Sequence, residues 1–338
     1  MRRPTIMDIA RAAGVSKGAV SYALNGRPGV SEETRERILG IARDLGWAPS
    51  TTARALSPGG RVGAIGMVVD RPAHALGVEP FFTQLLTGIE TELASSDTDL
   101  ILRVTDDAGA EADAYRRWAA ERRVDGVIMV DLRIDDPRVA LVEGLALPAV
   151  VLGGPGGTGA LPCLYTDDAS SVREVVRYLA ALGHRRITRV AGPAEFLHTR
   201  DRTLAFEEAT AGVGAAGDTV HADYTGESAT RATRRLLALA DRPTALVFDN
   251  DVMALAGLGV AHEMGVDVPS QLSIVAWDDS ALCQLVRPSL TAVARDVVAC
   301  GRQVAGMIAE AVGGAAPRSR ETARGELQPR GSTGPLEP

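Results

Sequence analysis

The 338-residue chain carries 43 acidic residues against 36 basic ones, a net charge of −7, and its length calls for two or three folding units with a core able to stand unaided. Three widely spaced cysteines, Cys163, Cys283 and Cys300, are odd in number and lack paired histidine ligands, which excludes a disulfide framework and a zinc site. No apolar run reaches the 18 residues of a membrane span and no signal-peptide core follows Met1-Arg2-Arg3, so the expectation is a cytoplasmic protein without a membrane partner.

Charge is unevenly distributed: residues 1–60 carry a net +4 and the remainder −11. A basic end on an acidic body is the asymmetry expected when one end touches nucleic acid. In that end, Ile6, Ile9, Ala10 and Ala13 fall on one face of a helical period, with Thr5 at the N-cap and Asp8 as its capping-box partner. Gly14 permits a sharp turn. Ser16 then caps a second helix whose inward face is Ala19, Val20, Ala23 and Leu24. Two short helices joined this way make a helix-turn-helix, whose second helix enters the major groove. Its outward residues are Lys17, Gly18, Ser21 and Tyr22. Lys17, the only lysine of the chain, can donate to guanine or phosphate, and Tyr22 can pack on a thymine methyl. Ser31 caps a third helix with Ile38, Ile41, Ala42 and Leu45 on one face. Residues 50–60, STTARALSPGG, form a segment too short and too poor in apolar residues to fold alone, with Leu56 its single large apolar side chain.

From residue 61 short apolar runs alternate with helical patterns. Strands are predicted at Ala64–Val69, Leu100–Val104, Gly126–Val130, Ala149–Leu152, Ile187–Ala191, Ala245–Phe248 and Leu272–Ala276. Helices are expected between them, for example at Phe82–Ser95, Ala110–Glu121, Ser170–Leu182, Arg202–Ala211, Ala229–Ala240 and Val252–Met264. This alternation predicts parallel doubly wound sheets, in two lobes, with a break near Leu161-Pro162 and a return around Ser289–Ala294. From Gly313 the Gly-, Pro-, Arg- and Ser-rich tail reads as disordered, and no heptad repeat can be drawn through it for a tetramerisation helix.

The run TIMDIARAAGVSKGAVSYALNGRPGVSEETRERIL, followed by LGWAP and ARAL, resembles the LacI/GalR family of bacterial repressors, and the resemblance continues through IGMVVD, EPFFTQLLTGIE, LGHRRITRVAGP, FDNDVMALAGL and PSLTAV. It implies an all-α helix-turn-helix head followed by an α/β two-lobed body of periplasmic-binding-protein type, with Rossmann-like lobes. The divisions are a head at 1–48, a hinge helix or linker at 49–60, a body at 61–313 and the tail at 314–338. The first lobe would take about 61–161 plus 291–313 and the second about 162–290. By the same resemblance Lys17, Gly18 and Tyr22 read bases, and Thr5, Ser16, Ser21, Asn25 and Ser31 hold the DNA backbone. Leu56, with Ala53 beside it, would wedge into the minor groove and kink the duplex. Two positions depart from the family pattern: Tyr22 stands where many relatives have Arg, and Ser50 where many have Asn. The implied partners are double-stranded operator DNA, a second copy of the chain in a nucleoid-associated homodimer, and a small effector; no cofactor or metal is expected.

Ligands of such folds sit outside the carboxyl ends of strands, where lobes face each other. The resemblance places Phe81, Phe82, Arg202, Asn250 and Asp278 there; Asp106 joins them by its place after the second strand and Trp277 by its ring. Phe82 would stack on the effector, and Arg202 would fork onto its oxygens. Asp278 would accept hydrogen bonds from effector hydroxyls, and Trp277 is either a core residue or a shelf for a sugar face. The set suits a small polyhydroxylated ligand. Two motifs are decoys. Gly14-Val15-Ser16-Lys17-Gly18 follows a helix where a nucleophile elbow needs a strand, and Gly154–Gly159 is followed by Pro162 instead of the helix a dinucleotide fingerprint requires. The five histidines have no partnered nucleophile. An enzyme is therefore excluded, and a solute-binding protein would explain a cleft without explaining the basic head.

Overall fold

The computed structural model describes residues 4–24, 26–47, 60–71 and 76–336, without the side chain of Ala108. Asn25, Ser50, Ala53 and Leu56 lie outside the described residues. The chain divides into two compact units, residues 1–62 and 63–338.

The first unit is made by its caps. Helix α1 (Ile6–Ala13) starts on a capping box, in which the Asp8 amide donates to Thr5 Oγ1 and the Thr5 amide donates to Asp8 Oδ2 at 2.9 Å. It stops at Gly14, whose φ of 66° is the left-handed turn that glycine adopts without strain. Ser16 Oγ accepts from the Ala19 amide at 3.2 Å at the head of α2 (Lys17–Leu24), and Ser31 accepts from the Thr34 amide at the head of α3 (Glu32–Asp44). Ile9, Ala13, Val20, Ala23, Ile38 and Ala42 close one small core. Leu45, expected on the inner face of α3, is exposed. Arg35 of α3 donates to the carbonyls of Ala23 and Arg27, tying the third helix to the end of the second.

The second unit carries two six-stranded sheets. Strands β1 (Ala64–Asp70), β2 (Asp99–Thr105), β3 (Gly126–Met129), β4 (Ala149–Leu152), β5 (Cys163–Tyr165) and β11 (Arg320–Glu321) form the first, in the order β11-β5-β4-β3-β1-β2. Strands β6 (Arg186–Ala191), β7 (Ala216–His221), β8 (Ala245–Phe248), β9 (Ser273–Asp278), β10 (Thr291–Ala294) and β12 (Glu326–Gln328) form the second, in the order β12-β10-β9-β8-β6-β7. Among the described residues all pairings are parallel except β10 with β12. Helices α4 (Pro80–Leu93), α5 (Ala108–Glu121) and α6 (Pro137–Gly144) belong to the first lobe; α7 (Asp168–Ala181), α8 (Leu197–Gly212), α9 (Gly226–Leu237), α10 (Asp251–Glu263) and α11 (Ala281–Leu285) follow in the second. Helix α12 (Val297–Val312) returns to the first lobe, where its Val304, Ala305 and Ile308 share a core with Leu85 and Ile89 of α4. The two helices touch at Gly88 and Gly301, where a Cβ on either would meet opposing backbone at 2.1 Å or 2.3 Å.

All seven predicted strands are present, together with five short or polar ones that apolar patterning did not mark. Two expectations are corrected. The two lobe boundaries each fall too early: Cys163 pairs with Val151 and keeps β5 in the first sheet, and Thr291–Ala294, expected to return to the first lobe, pair with β9 in the second, so the chain passes between lobes at 166–167, 295–296 and 322–325. The tail is ordered. Residues 320–321 pair with β5, 326–328 pair with β10, and Ser332 is fully buried, bonding to both backbone groups of Ile274 and to the Thr291 amide. Open sheet edges present unpaired backbone groups that any chain can satisfy, so a polar tail is held by main-chain bonds that composition does not reveal.

Candidate functional site

In the first unit, the helices that bury Val20 and Ala23 leave Ser16, Lys17, Gly18 and Tyr22 on the open side of α2, with Tyr22 44% exposed. Thr5 and Ser31 stand at the N-caps of α1 and α3, and Ser21 is half-buried. Helix N-termini with free amides and a lysine on an exposed helix are the groups that grip phosphates and base edges.

In the second unit, the carboxyl ends of β1, β3, β8 and β9 meet the segments passing between lobes around a cleft of about 850 Å³, counting the space open to solvent. Its wall includes Phe81, Phe82, Arg202 and Asp278 of the expected residues. Phe82 is 2% exposed and meets Phe81 edge-to-face, leaving Phe81 the more accessible ring. Asp106, Asn250 and Trp277 do not line it. Asp106 is exposed just beyond β2. Asn250 serves the fold, accepting from the Met253 amide as the cap of α10 and donating to the Tyr224 carbonyl, and its amide also bears on Glu79. Trp277 takes the core reading of its two: it is 1% exposed and packs into the second lobe's core, with the Arg202 guanidinium 4.5 Å above its ring where a sugar face would lie.

Sequence reasoning missed more of the wall than it found: Arg71, Glu79, Asp131, Asp168, His198, Tyr224, Asp249 and Arg295. Arg71, Asp131 and Asp249 directly follow a predicted strand or lie within two residues of its end, so the strand-end rule applied to every predicted strand would have found them, whereas Arg295 follows β10, which apolar patterning did not mark. Tyr224 follows β7, which apolar patterning did not mark. Each cation of the wall has an aspartate partner, and Asp168 lies within ion-pair range of two, Arg202 and, at 3.9 Å, Arg295. Arg71 pairs with Asp131 at 2.9 Å, Arg202 reaches Asp168 Oδ2 through Nε and a terminal nitrogen at 2.7 and 2.6 Å, and Arg295 Nε bonds Asp278 Oδ1 at 2.7 Å. Behind them Arg189 grips Asp249 at 2.7 Å and 2.5 Å. Asp278, the carboxylate that Arg295 bonds, closes β9 with a φ of 78°, a left-handed conformation. Arg71 Nε, Glu79 Oε2 and Asp168 Oδ1 are buried without a hydrogen-bond partner.

The wall also joins the lobes. The Ile134 amide donates to the Glu195 carbonyl at 2.8 Å and the Leu197 amide to the Leu132 carbonyl at 2.9 Å, while the Leu197 side chain packs among Val68, Leu132 and Val139 of the first lobe. Arg71, from the first lobe, faces the Phe196 and Tyr224 rings of the second at 4.7 and 4.9 Å. His198 stacks against both of those rings and lies 2.6 Å from the Tyr224 hydroxyl; burial and the charges of Arg202 and Arg71 hold its pKa well below the usual value, so it is neutral. Burial likewise raises the Tyr224 phenol. Among the described residues no cluster of His, Cys, Asp or Glu could hold a metal ion, and no helix is long and apolar enough to cross a membrane.

Residues 5–50 match the model of bacterial regulatory proteins of the lacI family, and residues 176–333 match a periplasmic binding protein-like domain. The HTH-type transcriptional regulator CelR of Thermobifida fusca is 30% identical over 318 residues, 93% of each chain. The HTH-type transcriptional repressor PurR of Photobacterium profundum is 32% identical over 299 residues, 86% of each. A solved complex of the transcriptional regulator CelR with cellobiose superposes with a TM-score of 0.74 at 28% identity, over 98% of this chain and all of that one. These relatives are regulators and not enzymes. The chain belongs to the LacI family of DNA-binding transcriptional regulators.

Proposed function

We propose that the protein represses transcription as a homodimer on a pseudo-palindromic operator, and that a neutral polyhydroxylated effector, a mono- or disaccharide, bound in the cleft modulates that binding. The observation that carries the effector class is the charge balance of the wall: among the described residues every arginine in it already has an aspartate partner, so no spare cation waits for a phosphate or carboxylate. Arg71 Nε and Asp168 Oδ1 stand buried and unsatisfied beside an accessible Phe81 ring, the combination that a sugar's hydroxyls and apolar face would complete. The cellobiose complex of a relative supports the same class. On the DNA side Lys17, Gly18 and Tyr22 read bases, and Thr5, Ser16, Ser21 and Ser31 hold the backbone. A symmetric dimer doubles the small surface of one head.

An effector can shift DNA affinity only by preferring one arrangement of the lobes over another. The clasp at Leu132–Ile134 and Glu195–Leu197 is the contact such a preference would strengthen or break. The test measures thermal stability against neutral saccharides, sugar phosphates, nucleosides and purines, then operator affinity by fluorescence anisotropy with each binder. A neutral saccharide that stabilises the protein and changes operator affinity is expected. Selective stabilisation by a sugar phosphate or a purine would overturn the effector class.

A further inference from the structure

Glu79 is the cleft residue that the balance of charges leaves over. It occupies the N-cap position of α4, yet makes no side-chain cap bond; Pro80 follows, and no amide is available at that first helical position. Its side chain turns into the cleft wall instead, 7% exposed, with Oε2 unpartnered. Asp131, Asp168, Asp249 and Asp278 each have an arginine in ion-pair contact, and among the described residues lining the cleft Glu79 alone of the carboxyls has none.

We propose that the Glu79 carboxyl works in this cleft as a neutral acid, a hydrogen-bond donor that reads an acceptor oxygen of the effector. The inference rests on the reading of the cleft as an effector site. The groups facing Glu79 are Arg71 at the end of β1, Asp131 beyond β3, Asp278 closing β9 and the Asn250 amide capping α10. Burial disfavours its anion; Arg71 and a hydrogen bond from the Asn250 side chain oppose that, the Asp131 and Asp278 carboxylates add to it, and the balance pushes the pKa up to about 8. A carboxylic acid kept neutral at pH 7 has one O–H to give, beside the Arg71 Nε–H that the arginine–aspartate pairs leave unsatisfied. A ring or glycosidic oxygen, which can accept but not donate, is the ligand atom this acid would select.

Two measurements on the full chain test it. The first is infrared difference spectroscopy of the ligand-free protein, wild type against Glu79→Gln. A protonated-carboxyl band at pH 7 that is lost above about pH 8 is expected; an ionised Glu79 at pH 7 overturns the inference whatever the protein binds. The second is calorimetric titration with neutral mono- and disaccharides, cellobiose included, from pH 6 to 9.5. Wild-type affinity should stay level to about pH 8 and then fall up to tenfold per unit, because only the acid form donates. Glu79→Gln keeps a donor and should hold its affinity within a few-fold across the range, whereas Glu79→Ala should bind at least ten times more weakly. A flat wild-type profile overturns the inference. A panel in which no saccharide binds sinks the sugar reading and the donor role together, and the infrared band tells that failure apart from an ionised Glu79.

Discussion

The head and the cleft reach function by opposite uses of polar groups. In the head, caps and a core of small apolar side chains satisfy the backbone locally, within three or four residues, and the face of α2 stays open. In the cleft, charged side chains from strand ends and crossing segments far apart in sequence are brought together and neutralise one another, and only a few buried atoms remain for a ligand. A head built this way should tolerate loss of a recognition side chain without loss of fold. The cleft should not, because its recognition groups also hold the lobes.

The largest break of that comparison is Arg202→Ala. It removes the nearer of the two arginines on Asp168, leaving only Arg295 at 3.9 Å, and uncovers the Trp277 face, so it should cost about 3 kcal/mol, measured by urea unfolding. A loss below about 1 kcal/mol would show that Arg202 serves the ligand alone. Next, Leu197→Ala should cost about 2–4 kcal/mol, because a second-lobe leucine leaves a first-lobe core. It should also loosen the lobes, read as a larger radius of gyration in solution scattering; an unchanged radius would remove the clasp from the coupling. In the head, Lys17→Ala should lower operator affinity by about 1–3 kcal/mol while leaving the unfolding midpoint unchanged. Unchanged affinity and base preference would mean that α2 is not the reading helix. Smallest, Ser31→Ala should cost the head about 1 kcal/mol through the lost cap of α3, with an effect on DNA binding that follows stability rather than sequence preference.

How much was legible follows the same division. Thr5, Asp8, Gly14, Ser16 and Ser31 signalled their helices, because a cap is a contract between residues three apart. The buried strands β1, β3, β4, β6, β8 and β9 showed as apolar runs, because both faces of a parallel sheet are covered. Strand β7, AGDTVH, did not, since an edge strand can be half polar. Phe81, Phe82, Arg202 and Asp278 reached the wall, while Trp277 and Asn250 were taken by core and cap.

The sequence by itself determined the helix-turn-helix, the alternation that makes two parallel sheets, and the residues that face outward from α2, since each follows from periodicity and caps within one segment. Only the tertiary structure decided that the polar tail runs through both sheets, and that Arg71 crosses to the aromatic rings of the other lobe. It alone decided that Glu79 is left buried without an arginine partner and with Oε2 unsatisfied. Main-chain pairing at a sheet edge has no side-chain signature, and a charge balance among groups so far apart in the chain exists only once the lobes have met.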